Sequence, residues 1–183
     1  MLYIVVTYTL KSACGANFVA EIENSDAAAK VRSENGCHMY EYYIPKDDPL
    51  KVYLLEQWET EEHQKLHLSQ PHMDTIRRIK EKYCKSTNAA FFKTGKYRHF
   101  KGKEYELLGI AMHSEALEPL VVYRALYGSG GLWVRPASMW NELVKSDCGD
   151  CYRFSFVGND LNEKRAETVN SKLTEKLREE KEK

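Results

Sequence analysis

The feature that most constrains this chain is the order in which its hydrophobic periodicity changes over the first 92 residues. Residues 2–10, LYIVVTYTL, are rich in β-branched and aromatic side chains and predict a buried strand. From Ala16 to Arg32 the apolar positions Phe18, Val19, Ile22 and Ala29 recur at three- and four-residue steps, which predicts an amphipathic helix. Asn35-Gly36 is its natural stop. Residues 37–44 and 50–58 predict two more strands, separated by the turn cluster Pro45 to Pro49. Thr60 is a good N-cap, with Glu61 and Glu62 in the first turn where the helix dipole favours acids. That helix is expected to run to about Ser69. Pro71 can open another, striped by Met73, Ile76, Ile79 and Tyr83. Residues 88–92, NAAFF, predict a fourth short strand. The order β-α-β-β-α-β is the ferredoxin-like arrangement.

After Lys93 the texture changes. Segments 104–114, 118–128, 132–140 and 152–157 are strand-like, with turns at Phe100 to Gly102, Gly128 to Gly131 and Cys148 to Asp150. Short strands at regular spacing predict a small all-β, barrel-like domain. From Asp160 the chain turns helical and charged, with Val169, Leu173 and Leu177 as a narrow stripe. The expected fold is therefore α+β. A ferredoxin-like domain over 1–92 is followed by a β-rich domain over 93–158 and a charged helix over 159–183.

Charge narrows the partners. The 27 basic residues balance 27 acidic ones. They divide as 11 against 13 in 1–92, 9 against 7 in 93–158, and 7 against 7 beyond. Neither half has the excess that grips nucleic acid or an anionic membrane. No apolar run reaches the roughly 18 residues of a membrane helix. The first ten residues lack the basic region and cleavage site of a signal peptide. Five cysteines without a secretory signal fit reduced thiols in a cytoplasmic protein.

Three blocks in the first segment, ENGCHMY at 34–40, LEQWET at 55–60 and HLSQPHM at 67–73, resemble the antibiotic biosynthesis monooxygenase (ABM) superfamily, closest to its quinol monooxygenase branch. The resemblance implies a homodimer whose sheets pack face to face into an α+β barrel. It also implies one of several reactions on small molecules: oxygenation, quinol oxidation, haem degradation or isomerisation. The positions where haem-degrading members carry a Trp and a later His hold His67 and Arg77 here, which argues against haem. The second segment resembles a family without an assigned activity, through YRHFKG at 97–102, LGIAMHSE at 108–115, VVYRALYG at 121–128 and LWVRP at 132–136.

His67 and His72 stand five residues apart, about 140° around a continuous helix, and Pro71 breaks that helix so that they can converge. Alone, they read first as helix-end histidines capping backbone groups. The resemblance makes both candidates for taking a proton from a substrate hydroxyl. Alternation puts Glu56 on one strand face with Val52, Leu54 and Trp58. It is either a carboxyl held in a cavity or a strand-edge partner of a cation. Tyr8, Tyr40, Tyr42 and Trp58 are candidates for binding a flat aromatic substrate, although core or dimer packing is the more frequent use of such residues.

His63 and His67 share a helix face but lack the HExxH pattern, so no metal site is expected. Cys148 and Cys151 form a lone CxxC read as a turn with two thiols. Arg98, Lys101, Lys103, Arg124 and Arg135 are read as a solvated surface, with an RNA or peptide face beside Tyr97, Tyr123 and Trp133 as the functional alternative, and a protein partner preferred over nucleic acid. Ser129-Gly130-Gly131 lacks the strand-to-helix setting of a phosphate loop.

The leading expectation is a cofactor-independent homodimeric monooxygenase, with histidine as general base, acting on a quinol or similar reduced aromatic with dioxygen. The alternatives are an isomerase using the same histidines, and a non-catalytic dimeric binding or adaptor protein.

Overall fold

The computed structural model describes residues 1–146 and 149–158. The helix expected over 159–183, and Cys148 of the CxxC, lie outside the described residues. Cys151 itself is a free thiol.

The first region follows the expected order. Strand β1 is Leu2–Leu10, β2 is Cys37–Tyr43, β3 is Lys51–Trp58 and β4 is Cys84–Lys93. They form one antiparallel sheet in the order β2-β3-β1-β4. The helices α1 (Gly15–Asn24), α2 (Ala27–Arg32), α3 (Glu61–Leu68) and α4 (Met73–Tyr83) supply the second layer. Thr60 caps α3 as expected, its hydroxyl accepting from the His63 N–H at 3.3 Å. In α4 the stripe Met73, Ile76 and Ile79 is buried.

Two expectations need correction here. The single helix over 16–32 is two. Asp26 takes a left-handed φ of 59°, and the Ser25 hydroxyl donates to the Ile22 carbonyl, which ends α1. The fourth strand starts at Cys84 rather than Asn88, directly where α4 stops. Residues 85–89 are exposed on both faces of this edge strand, so no apolar alternation marks them.

Sheet alternation gives two different faces. Ile4, Val6, Tyr8, Tyr40, Leu54 and Trp58 form one core with the helices. Val5 and Leu55 point the other way and are buried with Phe92 of β4 and with Tyr97, Leu107 and Trp140 of the second region. Part of the sheet face expected to meet a second copy is thus covered within the chain.

The second region is not a closed barrel. Strands β5 (Gly95–His99), β6 (Glu104–Met112), β7 (Pro119–Ala125), β8 (Leu132–Pro136) and β11 (Phe154–Gly158) form an open sheet in the order β11-β5-β6-β7-β8. The sheet curls so that its edges approach: Arg135 on β8 lies over the Phe154 ring on β11. The strand expected over 132–140 stops at Pro136, which has no N–H to continue a ladder. A 3-10 turn, Ala137–Met139, follows and places Trp140 in the core, stacked on Phe154 at 3.9 Å. The hairpin β9 (Leu143–Ser146) and β10 (Gly149–Tyr152) was not expected, nor was β5. Among the described residues, no helix is long and apolar enough to cross a membrane.

Candidate functional site: a carboxylate shared by two histidines

The turn between α2 and β2 builds the site. Gly36 has a φ of 78°, which favours glycine, and a Cβ there would run into the His63 imidazole. His63 itself bonds Asn35 through Nε2 and Thr60 through Nδ1, each at 3.2 Å. The Glu59 N–H donates to the Gly36 carbonyl at 2.8 Å. The start of α3 thereby locks residues 34–36 and aims Glu34 back at the helix layer.

His67 lies in the last turn of α3, and His72 immediately precedes α4. Pro71 and its neighbours turn the chain between them. Both imidazoles meet one carboxylate oxygen. His67 Nδ1 lies 3.0 Å from Glu34 Oε1, and His72 Nε2 lies 2.6 Å from the same atom. A carboxylate has no proton to give, so both imidazoles donate. The basic nitrogens left over are Nε2 of His67 and Nδ1 of His72.

The two histidines differ in surroundings. His67 is 1% exposed, while the His72 and Glu34 side chains keep 14% and 12%. The His67 ring packs 4.8 Å from Trp58 and 5.8 Å from Tyr40. Burial lowers its pKa, and Glu34 pulls the other way. The network is therefore anchored in the core and open to solvent at the His72 end.

Glu56 sits beside it on the same sheet face. Its carboxylate accepts from the Trp58 indole N–H at 2.8 Å, and burial raises its pKa to about 7. Tyr8 and Tyr40 are buried, and Tyr42 lies against them, donating to the Tyr40 hydroxyl at the long distance of 3.5 Å. Burial holds all three phenols above their ordinary pKa. Tyr8 also packs edge-on against Phe18 at 5.2 Å. Of these rings, Tyr40 and Trp58 reach the His67 ring, while Tyr8 and Tyr42 pack against Tyr40 and Phe18 deeper in the core. Cys37 at its edge has a thiol pushed up to about 11 by burial, which makes it a poor nucleophile.

The structure brings His67 and His72 together, and Glu56 and Trp58 into contact with each other. His63 does not join His67; it serves the turn. Glu34 was the residue missed. It stands in the ENGCHMY block, and an acid beside Asn-Gly carries no periodic signal. Glu34, His67 and His72 offer three ligand atoms within 4.8 Å of one another, a donor set that could also hold a divalent cation. A cleft of about 950 Å³ opens on the other side of the sheet, lined by Tyr53, Phe91, Tyr97, Phe154 and Asn141. It does not reach the histidines' face.

Residues 1–78 match the family described as Antibiotic biosynthesis monooxygenase, and residues 95–156 match Protein of unknown function (DUF1653). The chain joins an ABM domain to a DUF1653 domain. Among solved structures, a DUF1653 protein from Bordetella bronchiseptica is 40% identical over 39% of this chain and 95% of its own, with a TM-score of 0.37. A protein from Nitrosomonas europaea assigned as an antibiotic biosynthesis monooxygenase is 17% identical over 51% and 97%, with a TM-score of 0.46. A protein from Pseudomonas aeruginosa is 21% identical over 50% and 90%, with a TM-score of 0.44. No curated protein matches the chain.

Proposed function

We propose that the ABM domain oxidises a quinol or similar reduced aromatic with dioxygen, using His72 as general base. The observation that carries this reading is the single Glu34 oxygen shared by His67 and His72. Glu34 fixes the tautomer of His72 and stabilises the imidazolium formed when Nδ1 takes the substrate's hydroxyl proton. His67, buried and bonded to the same oxygen, holds Glu34 in place. The deprotonated quinol is electron-rich enough to react with dioxygen itself. A hydroperoxide forms at a ring carbon, its O–O bond breaks, and one oxygen stays on the ring while the other leaves as water. One quinol and one dioxygen give one hydroxyquinone and one water. A neutral Glu56, with its raised pKa, is suited to donate a proton within the site at pH 7.

The reading needs no cofactor. It includes a homodimer through the ABM domain. Val5 and Leu55 are already covered by the second region, so the contact would use the exposed outer stretch of β4, residues 85–89.

Oxygen uptake on a hydroquinone panel tests it. His72→Ala is expected to lower turnover by about 10²–10⁴-fold with an unchanged melting curve. A chelator is expected to leave the wild-type rate intact. Unchanged turnover in His72→Ala removes the base from the mechanism. Turnover that persists without oxygen assigns an isomerase instead.

A further inference from the structure

The DUF1653 domain carries chemistry of its own, on one face of the five-stranded sheet. The register pairs Tyr97 with Tyr105, His99 with Phe154, Tyr123 with Trp133 and Val121 with Arg135. Cross-strand partners point the same way, so His99, Tyr105 and Arg135 share a face. The acids of this sheet, Glu104 and Glu106, fall on the alternate face, where they meet Lys96, Arg98 and Arg124. Among the described residues, no carboxylate of the sheet stands on the Arg135 face.

Arg135 is half-buried and makes no hydrogen bond or ion pair among the described residues, and its Nε is shut off from water. Its guanidinium carbon lies 5.7 Å from the centre of the Phe154 ring. His99 packs on the same ring at 4.9 Å. The His99 Nδ1 accepts from the Lys101 backbone N–H at 3.2 Å. In the neutral ring the proton therefore sits on Nε2, a donor with no acceptor among the described residues. The ring is kept neutral: burial lowers its pKa, and Arg153, Arg135 and Lys101 add to the effect. Arg153 is already matched by Glu142 at 2.7 Å. Tyr105 and Tyr127 close the rim, sharing a 2.8 Å hydrogen bond between hydroxyls.

Two donors thus lie against one aromatic ring, and neither has an acceptor among the described residues. A half-buried guanidinium without a counter-charge is costly, and its two-pronged edge matches the oxygens of a carboxylate or phosphate. We propose that Arg135 and His99 form an oxyanion site, taking a small carboxylate- or phosphate-bearing molecule against the Phe154 and Tyr105 rings.

Calorimetric titration of the full chain with sodium benzoate, and separately with inorganic phosphate, tests the site at matched ionic strength. Saturable binding of at least one probe is expected, weakened about tenfold or more by Arg135→Met. Arg135→Lys keeps the charge but loses the fork, and is expected to fall between. Arg98→Met, on the opposite face, is expected to change nothing. If Arg135→Met fails to melt cooperatively, Arg135→Lys and His99→Phe carry the comparison. Tighter benzoate than phosphate assigns a carboxylate; the reverse assigns a phosphate. No saturable binding of either probe, or equal weakening by Arg98→Met, overturns the proposal. The oxygen-uptake reading stands or falls separately, because it rests on Glu34 and His72.

Discussion

The two domains differ in how completely their buried polar side chains are partnered. In the ABM domain Glu34 receives two imidazole donors and Glu56 receives an indole donor. In the DUF1653 domain the Trp140 indole N–H and the Arg135 Nε are buried without a partner among the described residues. A satisfied network fixes tautomers and holds a proton acceptor in one geometry, which suits proton transfer. An open valence over an aromatic ring suits capture of something from outside. Under the two proposals, the difference separates a site for proton transfer from one for binding.

Leu55→Ala is the largest expected disturbance to that division. Leu55 belongs to the ABM sheet but packs in the core of the second region. Its truncation is expected to cost about 2–5 kcal/mol. A single melting transition moved downward would show that the two domains unfold together. Two transitions, only one of them moved, would show them to be energetically separate.

Glu56→Gln sharpens the contrast inside the ABM domain. The Glu56 pKa is raised to about 7 in the fold, against about 4.3 in an unfolded chain. The native state thus binds the extra proton between these values, and its stability falls as pH rises from about 4.3 to about 7. The expected loss over that window is about 3 kcal/mol. His67 acts in the other sense, since its pKa is lowered: stability is lost as pH falls below about 6.5. Urea unfolding across pH is expected to show Glu56→Gln without the first slope. A slope identical to wild type would place the titration elsewhere.

Gly36→Ala is the smallest change and tests how Glu34 is aimed. A left-handed φ and the His63 ring both oppose a methyl there, at about 1–3 kcal/mol. Turnover is expected to fall further than stability alone accounts for, because the turn carries Glu34. Full activity in a destabilised Gly36→Ala would separate the turn from the site.

Much of the ABM domain was legible in sequence because its apolar periods change cleanly from two to about 3.6. The break at Asp26 was not, since one left-handed residue leaves the pattern of apolar positions almost intact. The β9–β10 hairpin was missed because its side chains are mostly exposed and alternate weakly. His67 and His72 could be singled out through the resemblance carried by HLSQPHM, and Glu56 through strand alternation. Glu34 could not, because a lone acid in a turn looks like any solvated acid until something packs against it.

The sequence by itself determined the order of elements, the apolar stripes and which side chains share a strand face. These follow from local periodicity and need no partner. Only the tertiary structure decided that one Glu34 oxygen serves two histidines. It likewise decided that Val5 and Leu55 are covered by the second domain, and that Arg135 faces no acid among the described residues. Each of these depends on groups brought together across long stretches of chain, and no local pattern encodes such a meeting.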